Sequence, residues 1–176
     1  MADFQPALAI TLKHEGGFAD RSKTRPDSTG EVVNMGITLD TLRSLGILKS
    51  KGPASEADIF FVKTLTEDEA ADIYRQQYWD KIELDGVNSQ EVANKVFDLA
   101  VNTGTHQSVV FLQKAVGTVA DGDLGAITLI ATNRADPNTT LSKIRLYAET
   151  FYRDIAMNNP ALAPDLSGWL ARLASA

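Results

Sequence analysis

The chain has 176 residues, of which 44% are hydrophobic and 23% charged, with no cysteine and a formal net charge of −6. That length supports one well-cored domain, and the balance of apolar to charged residues is that of a chain that folds by itself rather than a disordered one. A disulfide framework and a thiolate zinc site are excluded, and the acidic balance argues against nucleic acid as a partner, since neutralising phosphates requires concentrated Lys and Arg.

The opening MADFQPALAITLKHEGG has no basic leader region, and Thr11 and Lys13 interrupt its apolar stretch. No secretory signal is expected, and no run reaches the length of a membrane span. The expectation is a monomer made in the cytoplasm without membrane insertion, which something else must release or export if its substrate lies outside the cytoplasm. Phe4, Leu8, Leu12 and Glu15 share one face of a first helix that stops at Gly16-Gly17. From Phe18 to Met35 the chain is rich in Asp, Ser, Thr, Gly and Pro without apolar periodicity. It reads as a long functional loop or a small hairpin, with two-residue alternation near residues 31–37.

Thr38 is placed to cap a helix bearing Leu39, Leu42 and Leu45, and Lys49 to Lys63 reads as an irregular connection. Thr66 and Glu69 form a capping box for a helix through Ala70, Ile73, Tyr74 and Tyr78 into Trp79. Asn88 or Ser89 starts a helix with Val92, Val96, Leu99 and Ala100 on its apolar face. A shorter one carries Val109, Leu112, Ala115 and Val116 to Gly117. The turn DGDLG at residues 121–125 precedes a helix through Ile127 and Ile130. Leu141, Ile144, Ala148, Phe151 and Ile155 give a long final amphipathic helix. The fold class is mainly α.

His14 and His106 are the only histidines, and His14-Glu15 is not followed by a second histidine at helical spacing. DGDLG lacks the remaining acidic positions of a calcium loop. No metal and no cofactor is expected. Glu15 is the residue that points to chemistry. A carboxyl at a helix end, beside apolar residues and followed by two glycines, sits where burial can hold a proton on it. Glycoside hydrolysis needs such a group, because the leaving oxygen is a poor base, with a second carboxylate or a positioned water on the other face of the ring. On spacing alone the alternative is a solvated helix-end glutamate. Tyr78 and Trp79 are either a sugar-stacking platform or core aromatics. Asp98 and Asn102 lie one turn apart, Asp98 read as structural and Asn102 as a candidate contact to substrate, with Gln113 of the same type.

The order of motifs resembles that of the N-acetylmuramidases of glycoside hydrolase family 108. It is carried by HEGGF at 14–18, then Asp20, Asp27, Gly30 and GITLDTL at 36–42. IYRQQYWDKI at 73–82, VFDLAVNTG at 96–104, FLQKAVGTVADGDLGAITL at 111–129 and the closing FYRDIA and GWLARL continue it. The resemblance implies a lysozyme-like fold in one globular unit, with residues 1–90 catalytic and residues 91–176 a helical peptidoglycan-binding-like region. It further implies hydrolysis of the β-1,4 bond between N-acetylmuramic acid and N-acetylglucosamine, with Glu15 as the acid and peptidoglycan as the partner. Phe18 stands where that family usually has Tyr, and PDSTGEVVNMGIT replaces its Asp-Pro-Gly-Gly loop with one extra residue before Gly36. The second catalytic group is therefore left open between Asp20 and Asp27, with Thr29 or Thr38 to position water. The competing expectation is a binding or scaffold protein that keeps the fold but has lost turnover.

Overall fold

The computed structural model describes residues 1–20 and 32–175. It divides into two units, one of Met1–Thr11 with Arg75–Ala176 and the other of Leu12–Tyr74. No helix among the described residues is long and apolar enough to cross a membrane.

Helix α1 (Phe4–Glu15) ends as the sequence predicts, at Gly16, whose φ of +70° is a backbone state that glycine adopts without penalty. The alternating stretch forms a small antiparallel sheet of β1 (Ala19–Asp20), β2 (Val32–Asn34) and β3 (Ile37–Thr38) in the order β1-β2-β3. Ala19 pairs with Val33 and Asn34 with Ile37, so only Met35 and Gly36 join β2 to β3. Thr38 then caps α2 (Leu39–Ser44), its hydroxyl accepting from the Thr41 amide.

One expectation fails here. The segment read as an irregular connection contains α3 (Glu56–Lys63), started by a capping box in which Ser55 Oγ accepts from the Asp58 amide and Asp58 accepts from the Ser55 amide. The Lys-, Gly- and Pro-rich approach to Ser55 hides this start, and only Asp58 and Val62 of the helix are buried. The other end of α3 is closed by Asn34, which donates to the carbonyls of Val62 and Lys63 at 3.1 and 3.3 Å and so satisfies oxygens that a helix end leaves without partners. Helix α4 (Glu67–Tyr74) carries the predicted capping box of Thr66 and Glu69. Val32, Ile37, Leu39, Leu42 and Val62 are all buried.

In the other unit, Arg75–Trp79 is a π-helix followed by two 3₁₀ turns, Asp80–Ile82 and Leu84–Gly86. Its core is built on Phe4, Trp79 and Phe97, which meet edge-to-face with centroids 5.7–5.8 Å apart, a preferred aromatic geometry. Helix α5 (Gln90–Thr103), capped by Ser89, packs on α6 (Thr105–Val116), and both pack on α8 (Pro137–Asn158). Between α6 and α8 in the chain, α7 (Ala126–Arg134) takes its predicted place. Ile127 is 79% exposed, and Thr128 and Thr132 are buried, because the Thr128 hydroxyl lies 3.3 Å from Gln113 Nε2 in a polar network. Nor is α8 the last helix: the proline-bearing 3₁₀ segment Pro160–Asp165 turns the chain into α9 (Leu166–Ser175). Lys95 fastens that helix. Its buried ammonium donates to the Leu173 carbonyl at 2.8 Å, and Asp98 pairs with Arg172 at 2.9 Å.

Candidate active site

Glu15 is the last residue of α1 and is half-buried. The turn between β2 and β3 lies against it. Met35 has φ +48° and Gly36 φ +75°, so both central residues of the two-residue hairpin have positive φ, the signature of the I′ turns that match the twist of antiparallel strands. For Met35 this state costs about 1–3 kcal/mol, of the kind that surrounding structure must compensate. Part of that compensation comes from Tyr74, buried at the end of α4, whose hydroxyl donates to the Met35 carbonyl at 2.9 Å. Gly36 lies directly against the glutamate. A Cβ added there would overlap the Tyr74 hydroxyl and come within 2.5 Å of Glu15 Oε2 and 2.8 Å of its Cγ. Among the described residues, a Cβ at Gly16 or Gly17 would meet nothing within 4 Å. The carboxyl thus lies against a tight turn and is followed in the chain by two glycines, whose backbone carries no side chain.

Asp20 is exposed on β1, and His14 is half-buried beside Glu15 in the chain. Asp27 and Thr29 lie outside the described residues. Phe18 is partly exposed, with the Lys63 ammonium 5.9 Å from its ring centre. Thr38 contacts the Thr41 amide and hydroxyl at 3.1 and 3.0 Å, which commits its hydroxyl to capping α2.

Two expected substrate contacts are corrected. Trp79 is fully buried and donates its indole N–H to Asp85 at 2.7 Å, so its faces are taken by Phe4 and Phe97 and offer nothing to a sugar. Gln113 is buried as well. Its amide donates to Asp121 Oδ1 at 2.6 Å and the Asp123 carbonyl at 2.9 Å, and its oxygen accepts from the Gly122 amide, so it holds the DGDLG turn in shape. Tyr78 is half-buried. Asn102 is on the surface of α5, where its amide donates to the Tyr152 hydroxyl at 2.6 Å. No group of three or more His, Asp or Glu residues suited to a metal ion occurs among the described residues.

Sequence reasoning treated Tyr74 only as an apolar helix position and gave Gly36 no role in the site. The available signal was Met35-Gly36 between the short β-branched runs Val32-Val33 and Ile37-Thr38, which is a hairpin turn in the right place with an unusual first residue.

With this geometry in view, the comparisons with known proteins decide the family. Residues 8–104 match the model for glycosyl hydrolase 108, and residues 107–174 match that for a predicted peptidoglycan domain. The chain belongs to the glycosyl hydrolase 108 family. Among solved structures it is similar to SagA of Brucella abortus, at 30% identity and a TM-score of 0.76, covering 97% of this chain and 89% of that one. No curated protein matches it. The fold is accordingly mainly α and lysozyme-like, and the protein is a glycoside hydrolase directed at peptidoglycan.

Proposed function

We propose that this glycosyl hydrolase 108 protein is an N-acetylmuramidase that cleaves the β-1,4 bond between N-acetylmuramic acid and N-acetylglucosamine, with Glu15 as its general acid. The observation that carries the reading is the seat of Glu15: a half-buried carboxyl at a helix end, against the Met35-Gly36 turn and followed by Gly16 and Gly17. Glu15 gives its proton to the glycosidic oxygen as the bond to the muramic anomeric carbon breaks and positive charge develops on the sugar ring. A second carboxylate, Asp20 or Asp27, stabilises that charge or takes a proton from the attacking water, with Thr29 to orient the water. Asn102 and Tyr78 are its further candidate contacts to substrate. Catalysis belongs to residues 1–90 and attachment to the wall to residues 91–176. The protein works as a monomer and acts on the cell wall after release or export from the cytoplasm.

The test is digestion of purified peptidoglycan, with products identified by mass and by the sugar at the new reducing end, alongside retention of the protein on insoluble peptidoglycan. Reducing N-acetylmuramic acid is the expected product. Reducing N-acetylglucosamine would overturn the bond assignment, and retention without any release would replace the enzyme with a binding protein on the same fold.

A further inference from the structure

We propose that Gly36 and Tyr74 are positioning residues for Glu15, holding its carboxyl where it meets the glycosidic oxygen. This rests on the reading of Glu15 as the acid. Gly36 of the hairpin lies against the Glu15 carboxyl, close enough that a Cβ there would come within 2.5 Å of Oε2 and 2.8 Å of Cγ. Both Met35 and Gly36 are in left-handed backbone, and the Tyr74 hydroxyl reaches from the end of α4 to grip the carbonyl between them. The absent Gly36 side chain is the space that the Glu15 carboxyl and the Tyr74 hydroxyl share, since a Cβ there would intrude on both.

Backbone conformation alone does not explain the glycine. Gly46, in the same unit, has nearly the same φ, +72° against +75°, yet a Cβ there would meet nothing within 4 Å. The two glycines therefore carry the same conformational strain on substitution, and only one touches the acid. Their alanine variants separate a structural from a catalytic requirement within a single protein.

The experiment measures kcat and KM on soluble peptidoglycan strands, together with Tm, for the wild type and for Gly36→Ala, Gly46→Ala, Tyr74→Phe and Glu15→Gln. Both Gly36→Ala and Gly46→Ala are expected to lower Tm, because both force a side chain into left-handed backbone, and Gly36→Ala by more, because its Cβ also displaces Glu15 and Tyr74. Gly36→Ala is expected to lower kcat by about 10²-fold, the usual cost of displacing a reacting group by an ångström. Tyr74→Phe, which keeps the ring and loses the bond to Met35, lowers kcat by about tenfold through the same displacement. Both leave KM within about twofold, as expected when only interactions of the transition state are lost. Gly46→Ala keeps wild-type kcat. If Gly36→Ala does not fold, Tyr74→Phe decides. Wild-type kcat in Tyr74→Phe, or in a folded Gly36→Ala, overturns the positioning role while an inactive Glu15→Gln leaves the acid assignment standing. An active Glu15→Gln overturns the acid assignment itself, and the positioning role with it.

Discussion

Trp79 shows how little an aromatic residue's type says about its task. A tryptophan next to a tyrosine in a carbohydrate-directed protein invites the image of a sugar platform, yet its ring is enclosed by Phe4 and Phe97 and its N–H is satisfied by Asp85. Trp79→Ala should therefore cost stability, about 3–5 kcal/mol as for other buried large-to-small changes. Denaturant unfolding reads that loss, and the fraction that remains folded should bind peptidoglycan like the wild type. Reduced binding by a fully folded Trp79→Ala protein would restore a contact with sugar. Asp58 is the opposite case, a charged residue read from sequence as part of a loop. Burial pushes its carboxyl up. Hydrogen bonds from Ser50 and Ser55 and the charge of Arg43 outweigh that and bring it down to about 2. Its folded value lies below its unfolded one of 3.8, so its contribution to stability is complete above that value and is lost as pH falls toward 2. Between pH 4 and 2, a range taken from those two values, Asp58→Asn should lose less further stability than the wild type in acid unfolding.

At the scale of elements, caps and turns were the legible part of the sequence. Thr38, Thr66 with Glu69, Ser89 and Gly117 delimit helices where their side chains or backbone freedom place them. What the sequence concealed was of two kinds. Helix α3 is short and begins after a Gly- and Pro-bearing stretch, so periodicity had too few residues to act on, and its Ser-to-Asp box was the only sign. Helix α7 was placed correctly, but its inward face was not legible, because Thr128 turns inward beside a hydrogen-bonded Gln113 while Ile127 and Ile130 are exposed, and apolar periodicity assumes a dry interior. Ser55→Ala should cost about 1 kcal/mol of stability by loss of the cap. The attachment of α9 adds a dependence on pH. Burial, with smaller contributions from Arg145 and Arg172, outweighs the pull of Asp98 and brings the Lys95 ammonium from 10.5 down to about 8. Through that interval the unfolded chain holds a proton that the folded chain has released, so stability rises with pH from about 8 to 10.5. Chemical denaturation at several pH values should show this rise in the wild type, and Lys95→Met should lack it. Equal pH dependence in the two proteins would mean that Lys95 titrates in the fold as it does in water.

At the scale of the whole molecule, mainly helical architecture and the hydrolase family were both readable before any coordinates, the first from periodicity and the second from the order of motifs across the chain. The site was readable only at Glu15. Its surroundings come from Tyr74 and Gly36, residues distant in sequence from the glutamate that only folding brings to it, and no local pattern announces such a meeting. A net charge of −6 gives no long-range attraction to an anionic wall. Raising ionic strength from about 0.01 to 0.15 M, which shortens screening from about 30 to 8 Å, should not weaken retention on peptidoglycan, whereas a steep loss would reveal a basic docking face. The most direct test of the central claim is muropeptide release by the wild type and by Glu15→Gln, with folding of both verified by circular dichroism. Wild-type release of strands ending in reducing N-acetylmuramic acid is predicted, with loss of at least about 10²-fold in the variant, the scale of a general acid's contribution. Equal release by a folded Glu15→Gln protein would contradict the account.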